Sequence, residues 1–343
     1  MAGDERGVGM RRRAGLLSGW VSLLVVVAIV ATGCSSDDGE GGSASSGDGD
    51  RPRVAALFTQ FVDQGNWDPA GYAAYNAMCE KYDFDCTYVE EATYEKAPAL
   101  LRGYGDDGYD MVITHSSGYA AAIEEVAPDY PDTEFVLFSY AGDTKGLDNY
   151  SAWSMDWDQV GYMLGVVAGL ASSSSTVGVV AGEQIPSTVA TVDLIKRGVT
   201  DVVPDANVTV SWIGSWTDAA KAKELALKEI NDGAGFVIPV ADTAGAGVQQ
   251  AAEESQALTL GEYIDQAPDY PDSVVTSYII DMQGAFDEIG QAFTDGTLDG
   301  QIVQMSAETN DLTFTPFKHV DPSVQDEVNG VLEELANGTL SLS

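Results

Sequence analysis

Groups able to do covalent chemistry are few in this chain. Its 343 residues include two histidines, His115 and His319, and three cysteines. No Gly-x-Ser-x-Gly turn presents a nucleophile, and no glycine-rich loop ends in Gly-Lys-Ser/Thr to cradle a phosphate. His115 stands beside Ser116 and Ser117, where a histidine can take a proton, yet a lone loop histidine fits the polar wall of a binding site more simply. The acidic pairs Glu90-Glu91, Glu124-Glu125 and Glu253-Glu254 fall at strand ends or on helix faces and read as solvated surface. Gly245-Ala246-Gly247 lacks the third glycine of a dinucleotide fingerprint. The reading is a binding protein rather than an enzyme, with no cofactor and no metal.

Aromatic residues point to what is bound. Trp67 closes the loop TQFVDQGNWD (residues 59–68), which also holds Asp63, Asn66 and Asp68; Trp216 sits in Gly214-Ser215-Trp216-Thr217-Asp218. Each loop follows a predicted strand, so both rings stand at carboxyl ends of strands, where open α/β sheets meet their ligands. Two such rings facing each other would clamp a flat ligand, each stack contributing roughly 1–3 kcal/mol by analogy with base–aromatic contacts. The alternative for each ring is packing beneath its own loop. Ser139, at the end of a strand, and Asp242, in the loop after another, join His115, Ser116 and Ser117 as candidate ligand contacts by position.

The elements that must position these residues alternate regularly. The apolar run at residues 54–58 and the segments 85–89, 110–114, 134–138 and 150–155 read as strands or extended pieces, with helices between them and a long apolar helix over 158–171. A second series follows: strands at 176–180, 208–213, 235–239, 257–260 and 274–277, helices near 186–202, 282–294 and 324–336, and a last β segment at 311–315. In the first loop Asp68 reads as an N-cap and Pro69 as the first helical residue. Strands alternating with helices imply parallel sheets built by right-handed crossovers. The fold class is α/β, with two doubly wound parallel-sheet lobes joined by a multi-strand hinge. The first lobe takes residues 51–152 and 279–300, the second 153–278 and 301–343.

Residues 1–33 read as an address. Arg11-Arg12-Arg13 precede an apolar run that closes on Ala31-Thr32-Gly33-Cys34, ahead of Ser35-Ser36-Asp37-Asp38. This resembles the bacterial lipoprotein signal, which implies lipidation of Cys34; an ordinary secretory signal or an uncleaved membrane anchor is the alternative. Residues 34–50 lack large apolar side chains and read as a disordered tether. Acyl chains contribute about 0.8 kcal/mol per buried CH₂, so two or three hold a protein on a bilayer. The formal net charge of −38 excludes nucleic acid, a polyanion, as partner. Such acidity suits solubility or a salty surrounding. Cys79 and Cys86, outside the cytoplasm, are expected to form a disulfide.

Several segments together resemble the basic membrane lipoproteins, extracytoplasmic receptors of the purine-nucleoside-receptor type that serve ABC importers. They are Asp110 to Ala127 with Tyr130-Pro131-Asp132, Gly161-Tyr162-Met163-Leu164-Gly165, the Trp216 loop, Gly245-Ala246-Gly247, and Asp265-Gln266 followed by Thr276-Ser277. The likeness spans roughly residues 52–340. It implies a type I periplasmic-binding-protein-like fold and Trp67 and Trp216 as the sandwich around a base, with Tyr263 and Asp265 also at the ligand. It further implies ABC permease subunits as partners, lipid anchoring at the extracytoplasmic face of the cell membrane, and a monomer. The family's usual charged groups are replaced here by Ser139, Tyr263 and Ile280, its usual Gly-Phe after the third strand by Ser116-Ser117, and Asp68 stands where an amide is usual. The expected ligand is thus small and polar, with a nucleoside-like compound as one candidate. A sugar or another small aromatic metabolite is equally compatible, and a sensor signalling through a membrane partner is the alternative to transport.

Overall fold

Short runs of four to six residues, too short for a buried helix, pair instead as β1 (Arg53–Leu57), β2 (Asp85–Val89), β3 (Met111–Thr114), β4 (Glu134–Ser139) and β5 (Tyr150–Met155). With β11 (Ile302–Met305) they form one parallel sheet in the order β11-β5-β4-β3-β1-β2. The computed structural model describes residues 51–139 and 141–342; Cys34, the signal segment and the tether lie outside the described residues. Both faces of this sheet are covered. Alternate residues Val54, Ala56, Met111, Ile113, Val136 and Phe138 pack on one side, and Ala55, Leu57, Val112, Phe135 and Leu137 on the other. That is why its central strands are apolar over most of their length. Helices α1 (Trp67–Tyr82) and α8 (Met282–Asp295) pack together, as do α2 (Ala97–Asp106) and α3 (Ala120–Val126).

The second lobe repeats the plan. Strands β6 (Thr176–Ala181), β7 (Asn207–Trp212) and β8 (Phe236–Val240) pair in parallel as β7-β6-β8. A bridge between Phe236 and Leu258 carries the surface on to β9 (Thr259–Glu262), β10 (Val274–Ile280) and the antiparallel β12 (Leu312–Phe314). Each lobe thus has the strand order 2-1-3-4-5 of a doubly wound sheet, plus one edge strand from the last part of the chain. The chain passes between lobes after β5, after β10 and after β11.

Two boundaries differ from the sequence reading. Residues 153–155 complete β5, and Ile302–Met305 joins the first lobe's sheet beside it rather than the second lobe. This four-residue strand is half exposed and carries Gln304, so it has no apolar run to announce it. Helix α1 also starts two residues earlier than read, at Trp67. Asn66 occupies the cap position without a side-chain bond, and Asp68 turns inward.

Helix α4 (Trp157–Ala171), predicted as a long apolar helix, is buried along almost its whole length against α5 (Pro186–Val202). Glycine makes the approach possible. A methyl added to Gly161 or Gly165 would run into the carbonyls of Thr191 and Ile195, and one on Gly198 into that of Tyr162. This packing sets the cleft-facing ends of both helices. Gly165→Ala should therefore destabilise the protein by about 1–3 kcal/mol in denaturant unfolding. Gly103→Ala, on α2 with open space around it, should be neutral or stabilise by up to ~1 kcal/mol through helix propensity.

Candidate functional site

The loops at the carboxyl ends of the strands from both lobes surround a cavity of about 1010 Å³, at the upper end of the roughly 300–1,000 Å³ usual for small-molecule sites. Its aromatic walls are Trp67, Tyr94, Trp157, Trp216, Tyr263 and Tyr278. Ser116, Ser117, Ser139 and Asp242 line it as well. Among the described residues, four of the nine non-glycine residues with positive φ, Ser139, Lys145, Asp242 and Tyr263, are on this wall. Such conformations cost about 1–3 kcal/mol each and gather where the surroundings need them.

Trp67 is 9 % exposed and supported from behind. Its ring stacks on His115 with centroids 4.6 Å apart, and its Nε1–H donates to the His115 carbonyl at 3.1 Å. His115 stacks in turn on Phe138 at 5.2 Å, and its Nδ1 donates to Asp68 Oδ1 at 2.9 Å. The other oxygen of Asp68 accepts from Thr59 Oγ1 at 2.8 Å and from the Gln60 N–H at 2.7 Å. His115 and Asp68 are thus buried behind the tryptophan rather than lining the cavity. Gly71 leaves room for this ring, since a methyl there would collide with His115 Nε2. On the second lobe, Trp216 lies against Gly182, where a Cβ would overlap the indole. Gly182 is a glycine for that reason.

The remaining candidates separate clearly. Asp63 and Asp265 are exposed outside the cavity, Asp265 accepting only from the Ala267 N–H of its own turn. Asn66 contributes its backbone N–H, directed at Asp242 Oδ1 at 3.5 Å, while its side chain stays off the cavity wall. Ile280 lines a separate cavity of about 390 Å³ with Ala70, Ala73 and Ala74. Cys79 and Cys86 are joined in a disulfide between α1 and β2. Sequence reading missed Tyr94, Trp157 and Tyr278. Trp157 follows a strand end as Trp67 does and was open to the same logic; Tyr94 comes from a loop with no motif.

Carboxylates outnumber cations around the cavity. Glu124, Asp143, Glu183 and Asp242 line it, against Lys145, whose ammonium already lies 3.2 Å from Asp143 and 3.8 Å from Glu124. Beneath the wall, Glu262 is buried with Oε2 unpartnered. Burial, then the charge of Asp242, pushes its pKa up to about 8, only partly offset by the Ala241 and Asp242 N–H groups and the Tyr278 hydroxyl. Burial raises Asp242 as well. No group of His, Cys, Asp and Glu among the described residues is arranged to hold a metal.

Comparison with known proteins fixes the family. A family model described as "ABC transporter substrate-binding protein PnrA-like" (Bmp) matches residues 52–343. The chain belongs to the Bmp family. It is 28% identical over 249 residues to the transcriptional activator protein med of Bacillus subtilis, covering 72% of this chain and 77% of that one. A purine-binding protein of Brucella abortus is 25% identical over 258 residues (75% and 72% covered), and a putative ABC transporter glucose-binding protein of Haloferax volcanii 23% over 305 (88% and 76%). Among solved structures, a solute-binding protein of an ABC transporter system from Conexibacter woesei superposes with TM-score 0.71 at 24% identity, covering 85% of this chain and 98% of that one. The fold is therefore that of periplasmic binding proteins, as the resemblance implied, and this Bmp protein is a substrate-binding protein of the ABC transporter type, from an extracytoplasmic family. No helix among the described residues is long and apolar enough to cross a membrane.

Glu262 gives the site a pH signature. The folded chain keeps a proton that the unfolded chain releases near the ordinary carboxylate range, so stability falls as pH rises from about 4.5 to about 8 and then levels. Glu262→Gln keeps the acceptor and removes this term. Glu134, pushed up to about 7 by burial, adds a similar slope, so the readout is the difference between variant and parent. Calorimetric melting from pH 5 to 8 should show the variant gaining on the parent as pH rises; a constant difference would contradict the assignment.

Proposed function

We propose that this protein is a lipid-anchored, extracytoplasmic receptor of an ABC importer that closes its two lobes on a small polar ligand with a flat, aromatic portion. One observation carries the reading: Trp67 and Trp216 line the same cavity from opposite lobes, each backed by its own lobe. Stacking on both faces supplies affinity without reading a base sequence of donors and acceptors, and hydroxyls of Ser116, Ser139 and Thr188 on the wall offer partners for the ligand's polar groups. The acidic lining favours neutral or cationic compounds. The Brucella and Haloferax relatives named for purine and glucose binding mark the two chemical neighbourhoods to search first.

Cys34 provides the lipid attachment in this reading, residues 34–50 the tether, and permease subunits in the membrane receive the loaded monomer. A second reading, sensing through a membrane partner, is favoured by the relative named as a transcriptional activator.

Titration calorimetry with adenosine and with D-glucose tests the site. The compound that binds the parent should bind Trp67→Ala and Trp216→Ala about tenfold to a hundredfold more weakly, at the stacking magnitude above. Trp216→Ala should melt close to the parent, whereas Trp67→Ala, which uncovers His115, should also lose stability. Unchanged affinity in both folded variants would place the ligand elsewhere.

A further inference from the structure

The cavity is larger than a flat group at the tryptophans needs. At about 1010 Å³ it is roughly three times the smallest usual small-molecule sites. Another aromatic ring, Tyr94, lines it from the first lobe's loop between β2 and α2 and is 51 % exposed. Although exposed, this ring is held in place. Its hydroxyl is hydrogen-bonded to Ser116 Oγ at 2.9 Å, and it meets Tyr119 edge-to-face with centroids 5.1 Å apart. A Cβ on Gly118 would come within 2.3–2.7 Å of its Cζ, Cε1 and Cε2. Those three carbons, and not the hydroxyl beyond them, are nearest, so Gly118 lies under the plane of the ring. Tyr119 is fully buried and donates its hydroxyl to the Ala92 carbonyl, which ties down the loop that carries Tyr94. A ring fixed in advance avoids the ordering cost that a free side chain adds to binding.

The groups bordering the ring set the chemistry. Ser116 and Ser117 stand beside it, and Glu183, exposed on the second lobe's loop after β6, is near enough for its charge to act on the Tyr94 hydroxyl. Lys145, the cation on the cavity wall among the described residues, is already paired with Asp143 and Glu124, so an anion finds no partner here. An aromatic plane edged by hydroxyl and carboxylate acceptors fits a ring that is apolar on its C–H face and carries hydroxyl donors around its rim. A sugar has that shape and polarity. The two aromatic stations are also adjacent, because Trp67 is bonded to the carbonyl of His115 and Tyr94 to the side chain of the next residue, Ser116. We infer that Tyr94 is the platform of a second subsite, which takes the sugar ring of a glycosidic ligand whose flat aglycone lies at Trp67 and Trp216. This deepens the proposed function and rests on it for the place of the aglycone. The sugar's C–H face lies on Tyr94, and its hydroxyls donate to Glu183 and to Ser116 or Ser117. Tyr94 is thus a specificity-determining residue: it separates glycosides from the aromatic compounds they contain.

Titration calorimetry on the full chain in detergent tests the subsite by comparing glycosides with their aglycones: adenosine with adenine, and p-nitrophenyl β-D-glucopyranoside with p-nitrophenol. The parent should bind at least one glycoside about tenfold more tightly than its aglycone, the scale of one aromatic contact and a hydrogen bond together. Tyr94→Ala should remove most of that advantage and leave the aglycone's affinity at the parent's value. Gly118→Ala, which pushes the ring off its seat, should act in the same direction. Tyr94→Phe keeps the ring and should keep most of the preference, which also shows that the loop tolerates a change at this position. A parent that binds neither glycoside or prefers neither over its aglycone would overturn the subsite. So would a Tyr94→Ala variant that weakens glycoside and aglycone equally, or a Tyr94→Ala or Gly118→Ala variant that retains the preference. Trp67→Ala and Trp216→Ala should instead weaken glycoside and aglycone alike. If both bind normally while Tyr94→Ala loses the glycoside preference, the proposed aromatic clamp fails and the subsite stands.

Discussion

A carboxylate removed from water must be given donors, and the way Asp68 meets that demand shapes the first lobe's half of the cleft. At 1 % exposure it accepts from Thr59, from the Gln60 backbone and from His115. Breaking such an arrangement leaves a buried charge uncompensated, which costs several kcal/mol where both partners are desolvated. The consequence runs outward in one line: Asp68 holds the His115 ring, His115 backs Trp67, and Trp67 forms the wall. A group that looked in the sequence like a helix cap or a ligand contact is the foundation under the contact.

Topology explains why that foundation lies beside the second lobe's loops. In both sheets the parallel strands deliver their following loops to the same edge. Facing the two edges across the hinge brings residues some 180 positions apart, such as Gln60 and Asp242, within hydrogen-bond distance. The close α4–α5 packing contributes from below, since Val160, Leu164, Thr188 and Thr191 of those helices are part of the cavity wall. The cavity is thus walled by loops at the strand ends and floored by these glycine-tight helices.

Most of the architecture was legible because parallel strands covered on both faces must be apolar along their buried length, as residues 54–58 and 135–138 are. Strand β11 escaped because an edge strand with Gln304 has little to bury. The cleft's lining was legible where position alone decides, as for Trp67, Ser116, Ser117, Ser139, Trp216 and Asp242, while Tyr263 came from the family resemblance. It was not legible where depth decides. Whether His115 and Asp68 lie on a wall or behind it depends on rings contributed by Phe138 and Trp67 from separate elements, and sequence spacing does not encode that order. Asp63 and Asp265 share loops with cleft residues but point to solvent, a distinction of one or two residues within irregular backbone.

The account's central claim is that the two indoles hold a ligand between them. The most direct measurement is crystallographic difference density for a compound that copurifies with the protein or is soaked into its crystals. The account predicts flat density between the rings of Trp67 and Trp216, with polar atoms toward Ser116, Ser139 or Thr188. Density in the smaller cavity beside Ile280, or anywhere that leaves both indoles untouched, would contradict it.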